Sequence, residues 1–97
     1  MLIGTLKIRI NLMGITSLKD KRRIVKSIIG RLQSRFNFSI AEVAEHDSRQ
    51  TAVLGIAVVS NDSVFIQQQL DKAIDFARAD GRFFIATTDT EIFSSHK

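Results

Sequence analysis

Two pairs of side chains are spaced for acid–base chemistry. Glu42 and His46 stand four residues apart in an alternating stretch, so strand geometry puts them on one face, where carboxylate and imidazole could exchange a proton or hold a weak metal site. Asp89 and Glu91 share a face of the last predicted strand, the arrangement of an acid–base carboxylate pair. Each pair has a plainer reading, and the plainer reading is preferred. Glu42, Glu45, His46 and Asp47 form a polar strand end entering a turn, and the other histidine, His96, lies in the polar tail. Carboxylates along an edge strand block sheet-to-sheet aggregation. The chain has no phosphate-cradling glycine loop, no nucleophile elbow and no HExxH pair. It has no cysteine, which removes thiolate nucleophiles, thiolate metal sites and disulfides. The expectation is a protein that is not an enzyme and carries neither cofactor nor metal.

The stronger signal is charge. The net charge is +4, but residues 1 to 50 hold ten Lys or Arg against four acids, and residues 51 to 97 hold four against six. Seven of the cations fall between Lys19 and Arg35, where Asp20 is the one acid. On a helical wheel Lys19, Arg22, Arg23 and Lys26 gather on one flank, with Lys21, Arg31 and Arg35 on the other. Cations on flexible stems suit phosphate contacts, which give affinity without sequence information. Long basic stems also shield an apolar stripe on a solvated helix. Both readings stand at this point, and the first names Lys19, Lys21, Arg22, Arg23 and Lys26 as nucleic-acid-binding residues.

These side chains need elements to position them. Leu6, Ile8, Ile10 and Leu12 alternate with Thr5, Lys7, Arg9 and Asn11, which predicts a half-buried strand over 5–12. Ser17 is a suitable N-cap and Asp20 suits the positive end of the dipole of a helix over 17–36. Leu18, Val25, Ile29, Leu32 and Phe36 make its apolar stripe, with Ile28 beside it. Gly30 lies inside that helix at a cost of about 1 kcal/mol relative to Ala, with no reason visible in the sequence.

Residues 37–45 predict a second strand and 51–59 a third that is apolar on both faces, as central strands are. Gly55 within it marks a bulge or a close backbone approach. Ser60 to Ser63 starts a second helix along Ile66, Leu70, Ala73, Ile74 and Ala77, with Gly81 as a left-handed residue at its end. Residues 83–93 give the last strand.

The order β-α-β-β-α-β with right-handed crossovers predicts an α+β, ferredoxin-like single domain over 1–97: a four-stranded antiparallel sheet with both helices on one face. Strands one and three are then central. Val53, Ala57 and Val59 face away from the helices, a surface suited to a homodimer. Sheets of this topology that bind RNA stack bases on aromatics of the two central strands, and those strands here contain none. Contacts from the helix to the backbone of a folded RNA are the remaining mode. Lys7 and Arg9 interrupt the apolar start as a signal peptide would not, and no run is long enough to span a bilayer, so a cytoplasmic protein with no membrane partner is expected.

Ser17-Leu18-Lys19-Asp20-Lys21-Arg22-Arg23 followed by Arg35-Phe36-Asn37-Phe38-Ser39-Ile40-Ala41-Glu42-Val43 resembles the YlxP-like family of small uncharacterised bacterial proteins, whose hallmark stretches are close to SLKEKR and RFNVSVAEV. The similarity continues through Gln50, Leu54-Gly55-Ile56 and Val59-Ser60. Relatives often carry an aromatic just before the third-strand glutamine, whereas His46-Asp47-Ser48-Arg49-Gln50 has none. The resemblance implies a ferredoxin-like fold and no established activity. Family members often lie near translation and ribosome-maturation genes, which implies RNA or a ribosomal particle as partner. The expected function is a non-catalytic RNA- or ribosome-associated binding domain. The alternative is a structural or regulatory homodimer that meets an acidic protein partner.

Overall fold

The computed structural model describes residues 1–95; His96 lies outside the described residues. The elements are β1 (Leu2–Leu12), α1 (Leu18–Arg35), β2 (Ser39–Ala44), β3 (Thr51–Ser60), α2 (Ser63–Arg78) and β4 (Phe83–Ser94). The strands form one antiparallel sheet in the order β2-β3-β1-β4, the ferredoxin-like arrangement. As expected, β1 and β3 are central.

Local chemistry fixes the helix starts. The Ser17 hydroxyl accepts from the Asp20 amide at 3.1 Å, and the Asp62 carboxylate accepts from the amides of Val64 and Phe65, so orphan donors of both first turns are met. Gly81 has φ +59, the left-handed conformation expected after α2.

β1 begins at Leu2, earlier than the alternation from Thr5 indicated. Gly4 hides the pattern. It occupies a helix-facing position in the series with Leu6, Ile8 and Ile10, and a Cβ there would collide with Ile66 of α2. The missing side chain lets α2 approach β1.

The core lies between the sheet and the helices: Leu6, Ile8, Ile10, Leu54, Ile56, Leu32, Ile66 and Leu70 are all buried. At about 25 cal/mol per Å² of apolar surface, this layer is the main stabilising term. α1 sits differently from the predicted stripe. Its buried residues are Lys21, Val25, Ile28 and Leu32, so the helix is rolled toward Lys21, and Leu18 and Ile29 are only half-buried.

The sheet's other face is open, and its strands align in rows. Phe93, Ile3 and Val59 form the first; Glu91, Thr5, Ala57 and Ser39 the second; Asp89, Lys7, Gly55 and Ala41 the third; Thr87, Arg9, Val53 and Ala44 the fourth; Phe84, Asn11 and Thr51 the fifth. Gly55 has the close approach its position implied: a Cβ there would stand 2.8 Å from Val43. Val43 is the extra residue where the β2–β3 register slips between Glu42 and Ala44. Val53 is only 7% exposed, whereas Val59 is 59% exposed. The apolar part of the open face is therefore narrower than the sequence indicated.

Candidate nucleic-acid interface

Opposite its buried stripe, α1 presents Lys19, Arg22, Arg23, Lys26, Ser27, Gly30, Gln33 and Ser34 to solvent. The cations of this face are disposed unequally. Arg23 pairs with Asp20 at 3.1 Å, one turn back, and both remain well exposed. Lys19, Arg22 and Lys26 have no ion-pair partner among the described residues. Lys19 lies in the first turn and Arg22 and Arg23 in the second, beside the positive end of the helix dipole, where cations weaken a helix rather than support it. The four span roughly 10 Å along the axis at 1.5 Å per residue.

Lys21 does not belong with them. Its side chain is fully buried, and its ammonium donates to Glu42 Oε2 at 2.6 Å and to the Glu45 carbonyl at 2.8 Å. The expectation that Lys21 contacts phosphate is corrected by this geometry, because its charge is spent on β2 inside the fold. The bond joins the two stretches that carry the family resemblance, Ser17–Arg23 and Arg35–Val43. Glu45 is held with φ +65, which aims its carbonyl at Lys21. Its carboxylate reaches the other side and pairs with Arg9 at 3.2 Å.

The remaining cations of the helix face α2. Arg31 pairs with Asp80 at 2.8 Å and lies over the Phe76 ring, as does Arg35. Asp80 also takes a two-pronged bond from Arg82, which extends to the Ser27 hydroxyl. The Arg82 guanidinium, more than any other group, holds the Asp80 carboxyl below its ordinary value against the opposing effect of burial. This clamp fastens the α2–β4 connection to α1. In the sequence, Asp80-Gly81-Arg82 after a helix carries a turn signal but no sign of the contact with α1.

The Glu42–His46 pair is not assembled as the spacing indicated. The Glu42 carboxylate is engaged by Lys21, and the His46 ring meets the Glu42 backbone carbonyl at 3.1 Å instead. Asp89 and Glu91 do share the open face, at the edge strand β4, in register with Lys7 and Thr5. Among the described residues no cluster of His, Asp or Glu is arranged to hold a metal ion. No helix among them is long and apolar enough to cross a membrane.

The open face carries a depression of about 470 Å³ walled by Lys7, Arg9, Val43, Val53, Thr87 and Asp89. Its central strands have no aromatic, as expected, but β4 places exposed Phe84 and Phe93 at opposite ends. At the start of α1, the Arg49 guanidinium donates to the Thr16 carbonyl at 3.2 Å and ties the β2–β3 hairpin to the β1–α1 connection.

Residues 3–90 match the family described as "Protein of unknown function (DUF503)". The chain is 36% identical over 77 residues to "Uncharacterized protein YlxP" of Bacillus subtilis (strain 168), covering 79% of this chain and 84% of that protein. Among solved structures it resembles the designed protein LFR1 1 with ferredoxin fold, at TM-score 0.50 and 17% identity, covering 98% and 88% of the two chains. It also resembles SnoaB, a cofactor-independent oxygenase from Streptomyces nogalater, at TM-score 0.50 and 13% identity, covering 98% and 94%. Identities this low speak to the fold alone.

Proposed function

The chain belongs to the DUF503 family, shared with the YlxP protein of Bacillus subtilis, and from its surface we propose that it is a non-catalytic module that holds the phosphate backbone of a folded RNA against the outer face of α1. One observation carries this reading. Lys19, Arg22 and Lys26 stand exposed on one helix face without an ion-pair partner among the described residues, and Lys19, Arg22 and Arg23 lie in the first two turns, toward the helix end that favours anions. No ion pair among the described residues gains from that placement, whereas a phosphate strand along the helix does, by releasing its condensed counterions. The central strands lack aromatics for stacking bases, which favours backbone contacts over base readout. Pull-down from lysate with and without RNase checks the reading. RNA recovered with the protein and lost on RNase treatment supports it. An acidic protein captured equally in both arms, with no RNA, contradicts it and favours a protein partner.

A second reading concerns the sheet. We propose that the open face pairs with a second copy of the chain. The Phe93–Ile3–Val59 row gives it an exposed apolar strip, and β1 carries Lys7 and Arg9 beside the Asp89 and Glu91 of β4. A two-fold axis along the strands between β1 and β4 sets each β1 residue opposite its own register partner in the other copy, so Lys7 meets Asp89 and Ile3 meets Phe93 in both directions. Sedimentation velocity reads this directly: a species of twice 10.9 kDa supports it, and the 10.9 kDa monomer at every concentration contradicts it.

A further inference from the structure

Three glycines of this chain lie inside helices or strands, and two have an internal reason. Gly4 yields to Ile66, and Gly55 yields to Val43. Gly30 has none. Its backbone is not in the left-handed region that favours glycine, since Gly14 and Gly81 are the glycines with positive φ. Among the described residues a Cβ at Gly30 would meet nothing within 4 Å. Neither conformation nor packing within the chain asks for glycine here, and glycine is among the least favourable residues in a helix interior.

Its place on the helix supplies the missing reason. Lys19, Arg23, Lys26, Gly30 and Ser34 follow one another at steps of four, three, four and four, a straight stripe opposite the buried Lys21, Val25, Ile28 and Leu32. Gly30 is thus one turn beyond Lys26, about 6 Å along the axis, on the centre line of the basic face. The stripe runs from cations to a spot where the helix backbone is bare. A bulky strand anchored by Lys26 and Arg23 can come into contact with the helix itself only where no side chain holds it off.

We infer that Gly30 is a contact position, over which the sugar–phosphate backbone held by Arg23 and Lys26 runs along α1. The inference rests on the RNA reading of the basic face and adds to it the direction of the strand and the requirement for close approach. It also separates shape from charge. If the face attracts RNA by charge alone, another cation on its centre line strengthens binding. If the strand lies against the helix at Gly30, any side chain there weakens binding, even a positive one.

The test compares the parent protein with Gly30→Ala and Gly30→Lys in two measurements: thermal unfolding, and anisotropy titration of a fluorescein-labelled ribosomal RNA stem-loop at fixed salt. Both substitutions improve helix propensity, so both variants should melt higher than the parent, which removes misfolding as an explanation. The close-contact geometry predicts that Gly30→Ala binds several-fold more weakly and Gly30→Lys about tenfold more weakly, a difference of about 1.4 kcal/mol, despite the added positive charge. Gly30→Lys binding as tightly as the parent or tighter overturns the inference and leaves the RNA reading standing. A parent protein that binds no stem-loop overturns the RNA reading and this inference with it.

Discussion

Replacing Lys21 by Met should unfold much of what holds α1 to β2, and the size of the effect can be worked from the geometry. The substitution keeps the stem that fills the core and removes the ammonium that donates to Glu42 at 2.6 Å and to the Glu45 carbonyl at 2.8 Å. Glu42 is left with its side chain only 14% exposed and no ion-pair partner. Breaking a buried pair by removing one member costs about 3–5 kcal/mol, against a total of about 5–15 kcal/mol for a domain. With a urea slope of about 1.5 kcal/mol per M, a loss of 3 kcal/mol lowers the unfolding midpoint by about 2 M.

Circular dichroism in urea measures this, and a cycle with Glu42→Gln isolates the pair. The double variant Lys21→Met/Glu42→Gln should lose clearly less than the sum of the single losses, because the stranded charge is gone. Where the Lys21→Met protein is folded, its RNA affinity should equal the parent's, in contrast to Lys26→Ala. A loss below about 1 kcal/mol for Lys21→Met, the value of an exposed ion pair, would show that the pair does not hold α1 to β2.

Two further outcomes follow from the same geometry. Asp80 has its acidity raised in the folded state by Arg82, so the stability it contributes is present above the ordinary carboxylate value of 3.8 and is lost as pH falls through its lower folded value; Asp80→Asn should therefore be less stable than the parent at neutral pH and match it in strong acid, as thermal melts across pH will show. Val59→Asp combined with Phe93→Asp places two carboxylates in the exposed apolar row of the sheet, and should shift any dimer to monomer in sedimentation velocity, whereas an undiminished dimer would place the interface elsewhere.

Much of the fold was legible in the sequence because its patterns are local. The alternation from Leu6 to Leu12, the Ser17 cap and the doubly apolar Thr51–Val59 each report their own element, and the order of elements gives the sheet. What escaped depends on contacts between elements. Lys21 looked like part of the basic surface because a lysine in a helical pattern reads as solvent-exposed. Glu42 and the Glu45 carbonyl, outside the helix, make its burial tolerable, and the roll of α1 goes with those contacts. His46 lost its expected place beside the Glu42 carboxylate because the bulge at Val43 breaks the two-residue period on which the pairing rested. Phe84 and Phe93 were assigned to a strand, but that they flank the open face depends on the β1–β4 register. Of the five residues expected on the basic face, Lys19, Arg22, Arg23 and Lys26 stand on the solvent side of α1 and Lys21 does not, and Gly30, whose reason is not visible in the sequence, falls on the centre line of that face.

The central claim is that Lys19, Arg22 and Lys26 meet phosphates. Titrating a labelled ribosomal RNA stem-loop at a series of KCl concentrations, with the parent and with the Lys19→Ala/Arg22→Ala/Lys26→Ala variant, tests it most directly. Phosphate contacts at these three residues give salt-dependent binding by the parent and, for the variant, weaker binding at every salt with a log–log slope shallower by about 2–3, close to one for each lost contact. Binding that ignores salt, or a variant that keeps the parent's slope and affinity, would contradict it.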